Sequence, residues 1–393
     1  LSVTYAVQSN ALGLAEELSM SRHRLIMAWP PSAKRDQLET ESLTDLARIW
    51  TWREGYHSER LDEASRRLWE LTGLEDGVVE FDGEVTSSDP ALSAIQARFS
   101  YAIVSGDINT AEEVTGTSRR LDEANDDPMV SFAAQLNSLV GGVHKPDVAN
   151  AVASAERALD ALDIVDPSRS GEVWLPLVQQ SGRVTLHLFS AWAYWLDGCV
   201  DRARQETSQA RMLAHRLDHS FSRSFIVAIE GLVAAMDGSP EWVADSVEWS
   251  REATESSDFS LMTMWSRILG TWAEGMLGSE PHAHADRMAE LLDQLEASGA
   301  SVVQSLYRGM LAELHLRAGN PEAALEAIEV GMRRAQFGER FWLPELERLA
   351  GEAWRLLGDD TAADAAMARG RQAAEELSIV PLLARFDSVS LPA

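Results

Sequence analysis

A glycine recurs at Gly198, Gly238, Gly278, Gly319 and Gly358, with spacings of 40, 40, 41 and 39 residues. No other feature limits the possible folds so sharply, because a fixed period of roughly 20–50 residues means stacked copies of one supersecondary unit. Each glycine follows an apolar run at helical spacing, such as Ala191, Trp192, Trp195 and Leu196, or Leu349, Ala353, Trp354 and Leu357. Each precedes a second amphipathic stretch opened by Asp201, Pro240, Pro281, Pro321 or Asp359. That order is a helix, a glycine stop, a capping or first-turn residue and a second helix. The only strand-like alternation is Val78–Val85, inside a loop. The sequence predicts an all-α chain.

The C-terminal units show how such pairs would pack. Ala312, His315, Gly319, Ala324, Ile328 and Gly331 recur one unit later as Gly351, Trp354, Gly358, Ala363, Met367 and Gly370, at the same offsets. A small residue on each helix lets the pair cross closely, and a larger residue fills the facing groove. Ala191, Tyr194, Gly198, Ala203, Thr207 and Ala210 repeat the pattern, and so do Phe99, Ala102, Gly106, Ala111, Thr115 and Ser118. Gly55 and Gly142 are further anchors with looser spacing, giving about eight helix pairs by count of these glycines. Ala11, Leu14, Ala15 and Leu18 read as the second helix of an earlier unit. Irregular connections fall at Glu75–Pro90 and Asp163–Gly182.

These small, aromatic, Gly, Ala, bulky and Ala positions resemble the tetratricopeptide repeat, whose usual period is about 34 residues. The fold that follows is an α-solenoid, a superhelix of tetratricopeptide-like helix-turn-helix repeats of about 40 residues. Three stretches are expected along one continuous superhelix: irregular repeats over 1–182, regular repeats over 183–380 and a tail over 381–393. From Leu311 to Ala374, with Trp342, Glu345, Leu346, Arg348, Leu349 and Gly351, the chain resembles the C-terminal repeat region of large bacterial signalling ATPases. Those proteins are similar to the maltose-regulon activator and carry LuxR-type, winged-helix or cyclase output domains. The resemblance implies a sensor or inhibitory arm of a signalling or transcription-regulating protein. The start at Leu1 rather than Met fits a piece of something longer.

Composition narrows the function. Against 34 basic residues stand 62 acidic ones, a net charge of −28 that repels phosphate backbones and disfavours nucleic-acid binding. No apolar run approaches the ~20 residues that span a bilayer, so no membrane partner is expected. One cysteine, Cys199, allows no internal disulfide and fits a reducing, cytoplasmic setting. It reads as a small apolar filler in a helix-pair turn. A phosphate-cradling loop needs Gly-Lys-Ser/Thr, and neither lysine, Lys34 or Lys145, follows a glycine. His215 and His219 share a helix face, but the metalloprotease Glu is missing; His282, His284 and Asp286 read as a solvated helix start. The stretch Ala15–Arg22 has a helix-turn-helix look but reads better as a repeat helix running into a turn. No catalytic, metal or cofactor site is assigned.

What remains is an aromatic strip on successive first helices: Trp192, Trp195, Phe225, Trp265 and Trp272, with Met276 at its edge. In tetratricopeptide superhelices the first helices line the concave face, so these positions are analogous to ligand contacts; equally, they could fill inter-repeat core. Further along, the same face turns charged through Glu313, Arg317, Glu345, Arg348, Glu352 and Arg355. An apolar patch beside a charged rim suits a protein, peptide or small-molecule ligand, with other domains of the full-length protein as further partners. The expected function is non-catalytic binding in that groove, with a free-standing scaffold as the alternative. An α/α helical-repeat enzyme would need convergent Asp or His, and none stand out.

Overall fold

The computed structural model describes residues 12–76, 79, 85–86, 89–175, 180–255, 260–335 and 338–388. Ala11 and most of Val78–Val85 lie outside them. Among the described residues there are eighteen α-helices and no strand, only an isolated bridge between Trp174 and Ser181. After α1 (Leu12–Met27) the helices come in pairs: α2 (Ala33–Arg53) with α3 (Glu59–Leu71), α4 (Pro90–Ser105) with α5 (Ile108–Ala124), and α6 (Pro128–His144) with α7 (Val148–Val165). Then follow α8 (Gly182–Leu196) with α9 (Val200–Leu217), α10 (Ser220–Met236) with α11 (Pro240–Glu255), and α12 (Ser260–Leu277) with α13 (Pro281–Ala297). The last pairs are α14 (Gln304–Arg317) with α15 (Pro321–Ala335) and α16 (Leu343–Leu356) with α17 (Asp360–Glu376), and α18 (Val380–Ser388) closes the series. The segment set apart as a tail from 381 is thus helical through Ser388.

The punctuation expected from sequence does its work in the turns. Gly198 and Gly358 hold φ of 85° and 82°, a left-handed conformation that only glycine adopts without strain. Asp359 then caps α17 by accepting from the Ala362 N–H at 2.9 Å, and Pro281 occupies the first turn of α13. Gly142 departs from expectation. It sits inside α6, against Ala151 of α7, where a Cβ would come within 3.1 Å of the alanine's own. Its role is close helix crossing, and the turn falls three residues later at Lys145–Asp147. Gly351 also meets its expectation, since a Cβ there would lie 2.8 Å from the Met367 sulfur on α17.

The chain divides into two compact units. One comprises residues 1–137, 157–183 and 258–260, the other residues 138–156, 184–257 and 261–393. In the first, α2 and α3 are tied by Arg67, which grips buried Glu39 at 2.7 and 3.2 Å. The irregular connection after α7 is held by Asp166, which accepts from the N–H groups of Ser170 and Gly171 and pairs with buried Arg183. Burial alone would raise its carboxyl, but the Ser168 hydroxyl, those N–H groups and that cation outweigh it and hold the carboxyl down at about 2. The second unit holds Trp192, Trp195, Trp272, Tyr307 and Phe341, all under 2% exposed. Side chains of this kind bury roughly 150–250 Å² each, and that area drives the folding of a repeat array.

Candidate functional site: the inner face of the first helices

In the second unit the first helix α8 meets the 3-10 turn at Arg340–Trp342 that leads into α16. Trp192 on α8 meets the Phe341 ring edge-on at 5.3 Å between centroids, although the two residues are nearly four units apart in sequence. Trp195 lies 6.4 Å from Trp342 and donates its indole N–H to Asp237 at the end of α10, at 3.3 Å. His144 packs on Trp192 at 4.9 Å, and burial pushes its pKa down to about 4, so it is a neutral ring there. Phe225 joins the cluster through Phe189 at 6.3 Å.

The expected aromatic strip is therefore closed. Trp192, Trp195, Trp265, Trp272 and Phe225 are between 0% and 6% exposed, and Met276 is half-buried. In this conformation the five rings are packing between helices, and they present no open apolar surface to a ligand. Sequence periodicity puts residues on one helix face but says nothing of how tightly the superhelix winds, and here it winds tightly enough for inner faces to meet.

The charged residues are more revealing. Glu313 on α14 accepts the Trp272 indole N–H at 2.8 Å. Glu345 on α16, fully buried, is gripped by Arg348 at 2.7 and 3.0 Å and by Arg385 of α18 at 2.7 Å. Arg348 also pairs with Glu352. Arg385 donates to the Met236 carbonyl at the end of α10 and lies over the Trp342 ring, 5.7 Å from its centroid. Two carboxylates and two guanidiniums thus meet in one interior, and their pKa values move apart. Burial and the neighbouring Glu345 charge raise the Glu313 carboxyl to about 7. Glu345 is buried more completely, but Arg385 and Arg348 overcome this and hold it down at about 2.

Of the expected charged rim, Glu313, Glu345 and Arg348 belong to this cluster, and Glu352 joins it through Arg348. Arg317 is exposed and donates to the Gly278 carbonyl at 3.2 Å, and Arg355 faces Asp364 at 3.6 Å in a solvated pair. Arg385 was missed because a nine-residue helix carries little periodic signal; Pro381 in its first turn and Leu382, Leu383 and Phe386 on one face were the available hints. Cys199 also differs from expectation. It is exposed at the start of α9, its thiol donating toward Asp197 at 3.6 Å. His219 caps α10 by accepting from the Ser222 N–H, and His284 sits against the Glu280 carbonyl.

The class defined by this geometry is a tetratricopeptide-like α-solenoid. Among solved structures the chain is similar to that of a Rap protein complexed with competence and sporulation factor, at 13% identity and a TM-score of 0.60 over 96% of each chain. It is also similar to a chain of the APC/C hetero-tetramer Cut9–Hcn1, at 12% identity and a TM-score of 0.51 over 98% of this chain and 69% of that one. At these identities the likeness is one of fold. No family model matches the chain, and no curated protein matches it in sequence. No helix among the described residues is long and apolar enough to cross a membrane.

Proposed function

We propose that this chain is a non-catalytic regulatory repeat domain that binds a protein, peptide or small ligand through the inner face of its second unit. The observation that carries the reading is the Glu313–Glu345–Arg348–Arg385 cluster. A solenoid core needs only apolar packing, and buried ion pairs generally stabilise no more than apolar residues of the same volume. Charges retained in such an interior are better explained by recognition or switching. Beside them the indole N–H of Trp342, under the Arg385 guanidinium, has no acceptor among the described residues, a further sign of polar capacity beyond what the fold consumes. Two fold neighbours whose structures contain bound molecules are consistent with this use of the fold. The likeness of Leu311–Ala374 to signalling ATPases supports a place in a multidomain cytoplasmic regulator.

A peptide array probed with the purified chain tests the reading, with Glu345→Gln as control. Ligands held by the native chain at least ten-fold more tightly than by the variant support it. An array on which both proteins bind alike, or neither binds at all, overturns it.

A further inference from the structure

The helix that ends a repeat array normally touches only the unit before it. Helix α18 does that, through Phe386 against Gly370 and Asp387 paired with Arg371. It also reaches far back along the chain. Val380 lies on the α8–α9 turn so closely that a Cβ on Gly198 would stand 2.6 Å from its Cγ1. Arg385 donates to the Met236 carbonyl, and a Cβ on Gly238 would be 3.6 Å from its guanidinium. Helix α18 therefore reaches the α8–α9 turn and the end of α10, between roughly 150 and 180 residues upstream.

What receives Arg385 is built for a guanidinium. A buried carboxylate, a backbone carbonyl and an aromatic face converge on it, the three partners that a planar cation with five donors can use together. Removing Arg385 leaves Glu313 and Glu345 facing only Arg348 in a desolvated site, so the vacated socket favours another cation. The helix that fills it is weakly committed. It has nine residues, and helices under roughly 12 residues are marginal on their own, so its place depends on the contacts of Leu382, Phe386 and Arg385, which an occupant of the Arg385 socket would take in part.

Resting on the reading above, we propose that α18 is a built-in occupant of the binding interior, and that the partner is an arginine-bearing peptide segment that takes the same guanidinium socket by displacing it. Two conformations then compete for Glu345, with α18 docked or with the partner's arginine docked. The chain's own helix sets the threshold that a partner must exceed.

The full chain tests this with a synthetic peptide of its own residues 379–388 and the same peptide carrying Gln in place of Arg. Arg385→Ala is expected to bind the arginine peptide at least ten-fold more tightly than the native chain does, and the Gln peptide at least ten-fold more weakly than the arginine one. Val380→Cys, crosslinked to the native Cys199 by a short bismaleimide, is expected to lose peptide binding that the uncrosslinked variant retains. Should Arg385→Ala unfold, low-millimolar guanidinium is expected to restore its melting temperature where sodium at equal ionic strength does not. Equal affinity for the two peptides, unchanged binding after crosslinking, or no rescue by guanidinium would each overturn the inference. An array ligand that depends on Glu345 yet is indifferent to the crosslink would sink this inference while leaving the domain's binding role standing.

Discussion

The second unit buries two kinds of interior side by side. Around Trp192 the partners are the rings of His144, Phe189 and Phe341, and the His144 ring is neutral. Around Glu345 the partners are Arg348 and Arg385, with Glu313 and the Trp272 indole close by. The first region gains free energy from apolar area in proportion to what it hides. The second must first strip water from four ionisable groups and recovers that cost only through well-formed hydrogen bonds. Both regions draw residues from first helices, Trp192 on α8 for one and Glu313 and Glu345 on α14 and α16 for the other, so position in the repeat does not separate them. The difference teaches that the aromatic end explains why the unit holds together, whereas the charged end requires a reason beyond stability.

That division makes its largest prediction at the aromatic end. Trp192→Ala deletes a fully buried indole whose neighbours cannot collapse without moving Phe341, and should cost about 3–5 kcal/mol. Urea unfolding followed by far-ultraviolet circular dichroism reads it. The measurement belongs at pH 8, where His144, held near 4 in the folded chain, is neutral in both the folded and the unfolded state and adds nothing to the difference. A cost below about 1 kcal/mol would mean that the ring is not core, and the comparison would fail.

A smaller, pH-dependent effect is expected at the charged end. With its carboxyl near 7 in the folded chain against 4.5 for the free group, Glu313 keeps its proton between those values while an unfolded chain loses it. The folded state binds more protons over that window, so this residue's contribution to stability falls as pH rises from about 4.5 to about 7 and is level above. Glu313→Gln keeps an acceptor for the Trp272 N–H and never ionises. The variant should match the native chain near pH 4.5 and exceed it by about 1–2 kcal/mol at pH 8, the full shift being discounted for the residue's partial exposure. A difference that does not change with pH, or that has the opposite sign, would show that the carboxyl titrates normally.

Much of the fold was legible because repetition writes the same local message many times. The Gly198 and Gly358 stops, the Asp359 cap and the close approach at Gly351 each rest on backbone or packing needs settled within one helix pair. Gly142 misled because a helix-crossing glycine and a turn glycine leave the same letter in the sequence. The site was half legible. Glu313, Glu345 and Arg348 could be read as one charged face, because 3.6-residue periodicity and a 40-residue unit bring them into register. Whether that face is open or shut depends on the winding of the array, which is a sum of small rotations between units that no single motif encodes. The same reason hid Arg385, whose partners Met236 and Glu345 lie 149 and 40 residues away.

The smallest predicted effect separates the expected rim from the cluster that formed. Arg355 came from the same sequence reasoning as Arg348, yet it stands 3.6 Å from Asp364 with side chains 34% and 72% exposed. Solvent screens such a pair, and holding two long side chains together costs entropy that offsets most of the attraction. Arg355→Ala should therefore change stability by no more than about 0.5 kcal/mol, and that difference should vanish near 1 M salt, where the screening length falls to about 3 Å. Arg348 differs in kind, because its fork closes on a carboxylate with no exposed surface, and salt does not reach that pair. Denaturant titrations of Arg355→Ala and Arg348→Ala at low and high salt put the distinction to the test. If the Arg355 variant lost as much as the Arg348 variant, and kept that loss in high salt, the outer pair would belong to the buried network and the line between packing and recognition would have to be drawn elsewhere.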